Sequence, residues 1–300
     1  MIAGIIGGPT GVGKSEFAYR LAVKNGFEIV CVDSRQVYKG IPIGTSCPER
    51  VWQEKIPHHF CEFLGWDESY SLKEYQKGVM ELLEKETEKK FLLVGGTGLY
   101  LQALMFPASL EREKVSDSVI LQVQKLLEEL GAEGMHKELH HLDPKVADKI
   151  HPNDIYRTTK GMENFLMTGK SYAEFKMDLT KREIFKEVPI ISLTSERSLL
   201  YERINQRTEK MLEQGWLNEV QQMLDQDKTM GLPAFNTLGY TELAEVLNKR
   251  TSIKEAVTVI QRKTRNYAKR QITFFKNKFP EAIQINVEDK ETVNRFIESF

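Results

Sequence analysis

The octapeptide Gly8-Pro9-Thr10-Gly11-Val12-Gly13-Lys14-Ser15 constrains this chain more than any other stretch. The apolar run Ile2 to Ile6 leads into it, and the helix-compatible Glu16 to Val23 leads out. That is the strand–loop–helix setting a G-x-x-x-x-G-K-[ST] phosphate loop requires. Its glycines let consecutive backbone N–H groups turn toward one anion, while the following helix aims the positive end of its dipole at the same point. Lys14 adds a charge within reach of a terminal phosphate, and Ser15 offers a hydroxyl to Mg²⁺. A bare glycine-rich turn after an edge strand would not need the lysine, the hydroxyl and both flanking elements together. A bound phosphate ester or anhydride is the expectation.

Further along, Phe27 to Val32, Phe91 to Val94, Val188 to Leu193 and Ala282 to Asn286 read as buried strands. With the first, that makes five strands, mostly alternating with helical stretches, which implies a parallel α/β sheet flanked by helices, of the P-loop NTPase-like class. Ligands of such sheets sit beyond the carboxyl ends of the strands. Asp33, at the end of the second strand, therefore opens toward the phosphate loop, or else Asp33-Ser34 is a turn pair. The third strand runs into Gly95-Gly96-Thr97-Gly98 at the same edge, where Thr97 either touches ligand or caps a helix. The adjacent His58 and His59 have no further ligand at metal spacing, so packing or hydrogen bonding is expected of them.

From about Val115 to Lys186 the signals are helical. Val119 to Leu130 supply one helix face ended by Gly131, Asp143-Pro144 is a capped start, and Asn153-Asp154 opens a helix stopped at Gly169. The expected organisation is a catalytic core of residues 1–114 and 187–300 with an all-helical insertion domain at 115–186. After the fourth strand, Ser195 or Ser198 is expected to cap a helix running to Gln214. Arg203 and Arg207 share a face of it at i, i+4, either as phosphate ligands or as solvated surface charge. Thr258 to Lys278 is a further long helix. It carries seven cations, Arg262, Lys263, Arg265, Lys269, Arg270, Lys276 and Lys278, with no acidic residue between Glu255 and Glu281.

A formal charge of −1 over 300 residues makes that stripe conspicuous. The whole-molecule field attracts no polyanion, so contact with nucleic acid has to be local, and an uncompensated basic helix suits a phosphodiester backbone. Cys31, Cys47 and Cys61 are odd in number with no C-x-x-C spacing, which fits reduced thiols in the cytosol. Met1 leads straight into strand, leaving no room for a leader peptide, and no apolar stretch approaches a membrane span. A soluble cytoplasmic protein is expected, with no membrane association and no obligate protein partner.

Taken together, the motifs resemble a known family. Gly8 to Ser15, Asp33-Ser34-Arg35-Gln36-Val37-Tyr38-Lys39-Gly40 and Ile43-Gly44-Thr45 are similar to the opening of tRNA dimethylallyltransferases, also called isopentenyl-tRNA transferases. Pro57-His58-His59, Gly95 to Tyr100, Ile150-His151-Pro152-Asn153-Asp154, Leu238-Gly239-Tyr240 and Thr264 to Gln271 continue the likeness in the family's order. The resemblance implies transfer of a dimethylallyl group from dimethylallyl diphosphate to N6 of adenosine 37, in tRNAs reading codons that begin with U. The products are N6-dimethylallyladenosine and diphosphate.

On that resemblance Gly8, Pro9, Thr10, Gly11, Val12, Gly13, Lys14 and Ser15 hold a diphosphate, with Thr10 near the bridging oxygen, Arg207 on the diphosphate and Ser15 on Mg²⁺. Asp33 orients the adenine amine and accepts its proton, while Ser34, Arg35 and Gln36 read the extruded base and its neighbours. Thr97 lies beside the tRNA. The insertion, through Tyr156, Arg157 and Lys160, and the basic helix, through Arg265 and Lys269, grip the anticodon stem-loop. Tyr156 and Lys160 stand where the family usually has glutamine and arginine, which changes hydrogen-bonding shape. The chain lacks the C-terminal zinc finger of eukaryotic members, so a bacterial-type enzyme is implied. The resemblance weighs against a P-loop kinase, since the insertion shows no paired-arginine lid. It also weighs against prenylation of free AMP, which needs no basic helix.

Overall fold

Short runs such as Phe91-Leu92-Leu93-Val94, buried at every position, have no polar face to offer solvent and belong inside a sheet covered on both sides. The computed structural model, which describes residues 1–106, 115–171 and 180–300, assembles six strands into one parallel sheet. They are β1 (Ile2–Gly7), β2 (Glu28–Cys31), β3 (His58–His59), β4 (Phe91–Val94), β5 (Ile190–Thr194) and β6 (Ile283–Asn286), ordered β3-β2-β4-β1-β5-β6. From β1 the chain builds one flank through β2, β3 and β4, then crosses to the other for β5 and β6. The direction of winding therefore reverses at the end of β1, the place where open α/β sheets bind ligands.

The expectation of five strands is corrected to six. His58 and His59 pair with Ile29 and Val30. His59 Nε2 meets Glu28 Oε2 at 2.6 Å, and His58 Nδ1 meets the Ile56 carbonyl at 2.7 Å. Both rings hydrogen-bond at the sheet edge, as their missing metal partners suggested.

Thirteen α-helices are formed among the described residues. α1 (Lys14–Asn25), the short α2 (Pro42–Thr45) and α3 (Arg50–Lys55), α4 (Leu72–Lys85) and α5 (Gly98–Met105) precede the insertion. α6 (Asp117–Leu142), α7 (Pro144–Ala147) and α8 (Ile155–Thr168) lie within it. α9 (Arg197–Glu213), α10 (Trp216–Gln226), α11 (Tyr240–Leu247), α12 (Ile253–Lys278) and α13 (Lys290–Ser299) follow. Gly131 does break the helical geometry (φ 65°, ψ 179°), but a second helical segment resumes at once instead of a loop. α9 is capped by Glu196, whose carboxylate accepts the Ser198 N–H, and not by either serine. α12 begins five residues earlier than the charge run suggests, behind a capping box of Ser252 and Glu255.

The chain divides into two compact units, Met1–Met105 with Arg182–Phe300, and Phe106–Lys181. The smaller has its own core, where Val123, Met135, Leu139, Val146 and Met162 meet and Gly161 lets α8 close on Leu139. In the larger, one core joins the sheet to α1 and α13 through Ile6, Phe17, Leu21, Leu92, Ile191 and Ile297. A second holds Val37, Tyr38 and Ile41 against α10 and α11. Here distant motifs meet. The buried Glu219 carboxylate accepts the N–H groups of Ile43 (2.7 Å) and Gly44 (3.0 Å) and the Tyr240 hydroxyl (2.7 Å). A side chain at Gly44 would strike Trp216 and Tyr240.

Candidate active site

Register aligns the carboxyl ends of the central strands, with Ile6 beside Val94 and Cys31 beside Val94. The segments that follow β1, β2 and β4 therefore open on one edge: the phosphate loop, Asp33 and Gly95-Gly96-Thr97. Gly8 takes φ 135°, and a Cβ there would lie 2.6 Å from the Leu193 carbonyl oxygen, so only glycine fits. Gly13, at φ 98°, precedes α1 with no side-chain cap, which leaves the first-turn amides to serve an anion.

Two residues from far along the chain complete the loop. Arg207, on α9, donates through Nη2 to Thr10 Oγ1 at 2.7 Å. Gln271, on α12, accepts the Thr10 N–H at 2.7 Å and donates to the Gly96 carbonyl at 2.9 Å, tying the loops after β1 and β4 together. Arg203 takes no part. It pairs with Glu288 and bonds Ser195 Oγ, so the two arginines of one helix face have different fates.

Lys14 donates to the Pro9 carbonyl at 2.8 Å. Burial pushes its pKa down to about 8, opposed by the Asp33 charge and assisted by Arg207. Asp33 is both things its position suggested. Its Oδ1 accepts the N–H groups of Arg35 (2.8 Å) and Gln36 (3.3 Å) as a turn residue does. Both bonds fall on one oxygen, so Oδ2 remains for another donor. Burial raises the carboxyl above its usual range against the pull of those amides, Lys14 and Arg35. A phosphate cradle thus faces a carboxylate of raised basicity.

The family described as IPP transferase matches residues 36–278, and the isopentenyl transferase family matches residues 1–64. The tRNA dimethylallyltransferase of Alkaliphilus metalliredigens (strain QYMF) is 36% identical over 289 residues, spanning 96% of this chain and 92% of its own length. That of Geobacillus thermodenitrificans (strain NG80-2) is 36% identical over 278 residues, 92% of this chain and 88% of its own. Among solved structures, the tRNA delta(2)-isopentenylpyrophosphate transferase of Staphylococcus epidermidis superposes with a TM-score of 0.68 at 31% identity, covering 99% of this chain and 97% of that one. A eukaryotic dimethylallyltransferase acting on tRNA gives 0.75 at 27% identity, over 97% and 75%.

This chain belongs to the tRNA dimethylallyltransferase family.

Within this dimethylallyltransferase chain, the residues expected on the RNA side divide. Ser34 and Arg35 are half-buried at the sheet edge. Gln36 turns its amide Nε2 to the Ser46 carbonyl at 2.9 Å, bracing the loop beside it. The Thr97 hydroxyl is buried against the Tyr267 side chain and caps no helix amide. That phenol is pushed up to about 12 by burial and by the Asp33 charge. Lys269 is exposed in a groove along α12 with Asn266, Arg270, Phe274 and Lys278. Arg265 is turned inward instead, bonded to Asn205 Oδ1 at 2.7 Å with its guanidinium over the Tyr201 ring. In the helical unit Tyr156 is exposed, Arg157 pairs loosely with Asp154, and Lys160 bonds the buried Glu163 at 2.6 Å.

Gln271 and Tyr267 escaped the reading of the sequence as site residues. For Gln271 the signal was a lone amide in the buried stripe Ile260, Thr264, Ala268, Phe275 of an otherwise cationic helix. The donors around the loop suit Mg²⁺, which prefers oxygen and keeps substrate phosphates and waters in its shell; Ser15 would supply the hydroxyl. No helix among the described residues is long and apolar enough to cross a membrane.

Proposed function

We propose that this chain transfers the dimethylallyl group of dimethylallyl diphosphate to N6 of adenosine 37 in tRNAs reading codons that begin with U. It is a tRNA-modifying prenyltransferase. One observation carries the reading. The cradle after β1, stiffened by Arg207 and Gln271, and the Asp33 carboxylate after β2 open on the same edge of the sheet, as a donor–acceptor reaction between a diphosphate ester and an amine requires.

Adenine N6 is a weak nucleophile because its lone pair is shared with the ring. Asp33 Oδ2 accepts a hydrogen bond from the amine and takes its proton as the N6–carbon bond forms. The allylic carbon tolerates positive charge, so the main task is to stabilise the departing diphosphate while its carbon–oxygen bond breaks. Lys14, the loop amides and Arg207 lie where that charge develops, with Thr10 held by Arg207 beside the bridging oxygen. Bound at Ser15, Mg²⁺ would supply further charge neutralisation to the diphosphate. The base must leave the anticodon-loop stack to arrive here, beside Thr97 and Tyr267. The exposed cations of α12 suit phosphates of the stem.

The test is incubation with labelled dimethylallyl diphosphate, Mg²⁺ and an unmodified anticodon stem-loop, followed by nucleoside analysis. N6-dimethylallyladenosine at position 37 is expected, with no turnover of ATP or free AMP. Label found only on AMP, or nowhere while ATP is consumed, overturns the reading.

A further inference from the structure

Behind the Asp33–Gln36 turn, two thiols and a carboxylate converge, with a third, buried thiol nearby. Cys31 ends β2, Cys47 follows α2, and Cys61 and Glu62 follow β3. The sulfurs of Cys47 and Cys61 and a Glu62 carboxylate oxygen all lie within 4.8 Å of one another, the only such group among the described residues. Cys31 is buried and stands outside that group. Tetrahedral zinc with Zn–S bonds of about 2.3 Å places its sulfurs about 3.8 Å apart, which this spacing accommodates with small shifts.

The surroundings have the form of a ligand shell. Metal-binding side chains are usually oriented by a second layer of hydrogen bonds. Gln53 supplies one: its Nε2 is 3.8 Å from Cys47 Sγ and 3.1 Å from Glu62 Oε2, and it donates to the Pro48 carbonyl at 2.8 Å. Three non-glycine residues in left-handed backbone, Ser46 (φ 53°), Phe60 (φ 60°) and Glu62 (φ 49°), flank the two thiols. Such conformers persist only where the surrounding structure holds them. Cys47 and Cys61 are half-buried, so a small ion can reach them.

We propose that Cys47, Cys61 and Glu62, with water as fourth donor, form a site for one thiophilic divalent cation of the Zn²⁺ type, distinct from the oxygen site at Ser15. Sulfur donors select such an ion over Mg²⁺. Coordination releases to solvent the proton of each thiol that binds, with no change of oxidation state. Gln36 lies between the two arms of the site: its carbonyl accepts the Glu62 N–H at 2.8 Å and its amide bonds Ser46. An ion here would fasten together the two loops that brace the Asp33–Gln36 turn. The proposal does not depend on which reaction the phosphate loop serves.

The reduced, chelator-stripped full chain is titrated with Zn²⁺ in excess Mg²⁺, which keeps the oxygen site occupied. One equivalent of zinc is expected to survive desalting and to slow alkylation of Cys47 and Cys61, as read by mass spectrometry. Co²⁺ in place of zinc should give a thiolate-to-metal charge-transfer band, lost in Cys47→Ser and in Cys61→Ser. Gln53→Leu, which leaves every ligand in place, should weaken binding roughly tenfold or more. No retained zinc in the reduced wild-type chain overturns the proposal. So does undiminished binding when both Cys47 and Cys61 are serine. Recovery of Cys47 and Cys61 as a disulfide that takes up no metal once reduced does the same.

Discussion

Arg207 Nη2 donates to Thr10 Oγ1 at 2.7 Å, so a guanidinium from α9 is fixed on the phosphate loop before any substrate binds. Burial lowers its pKa, yet a guanidinium remains charged at any working pH. Its orientation is set in advance, the condition under which a charged donor lowers a barrier most. Arg207→Gln should reduce kcat about 10²–10³-fold, the usual cost of one such donor, while tRNA affinity is unchanged. Single-turnover kinetics with prebound tRNA checks this, and a change confined to tRNA binding would count against the assignment.

Asp33→Asn keeps an oxygen to accept the Arg35 and Gln36 amides, so the turn should survive. Only the base is lost. Turnover should fall about 10²–10⁴-fold with diphosphate affinity retained. In the wild type, the carboxyl pKa is raised by burial. The base works only when ionised, so kcat should decline as pH falls through a value above the ordinary carboxylate range. An acid limb at the unshifted value, or full activity in the variant, would remove Asp33 from the mechanism.

Lys14 titrates at about 8, not 10.5. An amine is charged below its pKa, so diphosphate binding should be at full strength below about pH 8 and weaken as pH rises past it. Bound anion raises the pKa, so binding above that pH takes up protons. Calorimetry of Mg-diphosphate binding in buffers of different ionisation enthalpy reads this directly. Lys14→Met should bind weakly, with no step near pH 8.

Lys269 and Lys278 are exposed on α12 with no acidic residue on the same run. Replacing both by alanine should weaken anticodon stem-loops of any sequence alike. The slope of log K against log salt should fall by about one for each lysine that met a phosphate. Arg265→Lys should leave that slope alone, because its guanidinium is committed to Asn205 and Tyr201. Filter binding over a salt series distinguishes them.

Gln271→Leu strands the Thr10 N–H and the Gly96 carbonyl. The loss should be about 1–3 kcal/mol of stability for each buried group left unpaired. Urea unfolding measures it, and diphosphate affinity should fall with it.

The phosphate loop was legible in the sequence because its chemistry is local: glycines, lysine and helix start are contiguous. Asp33 was legible because it ends a strand. The two arginines of α9 were not separable, since what divides them is Glu288, brought in by the strand after α12. Arg265 and Lys269 share a stripe on paper, but Asn205 on a neighbouring helix captures the first. β3 has two residues, neither a strong strand former, and exists because Pro57 accepts the Ile29 N–H and the edge of β2 is open. Helix starts were legible to within a turn at Ser71, Asp143 and Asp154, where the capping side chain directly precedes the periodic run, but not at Ser252, which lies five residues ahead of the charge run. At α9 the start was right to within a turn but the cap was not, since a glutamate does the capping.

Gln271 sits on the inner side of the same helix whose outer side carries the cations. RNA that tugged or rotated α12 by a fraction of an ångström would transmit that displacement through one rigid amide to the Thr10 backbone. Load on the outer face of α12 is thereby felt at the phosphate loop, with no flexible linkage between the two.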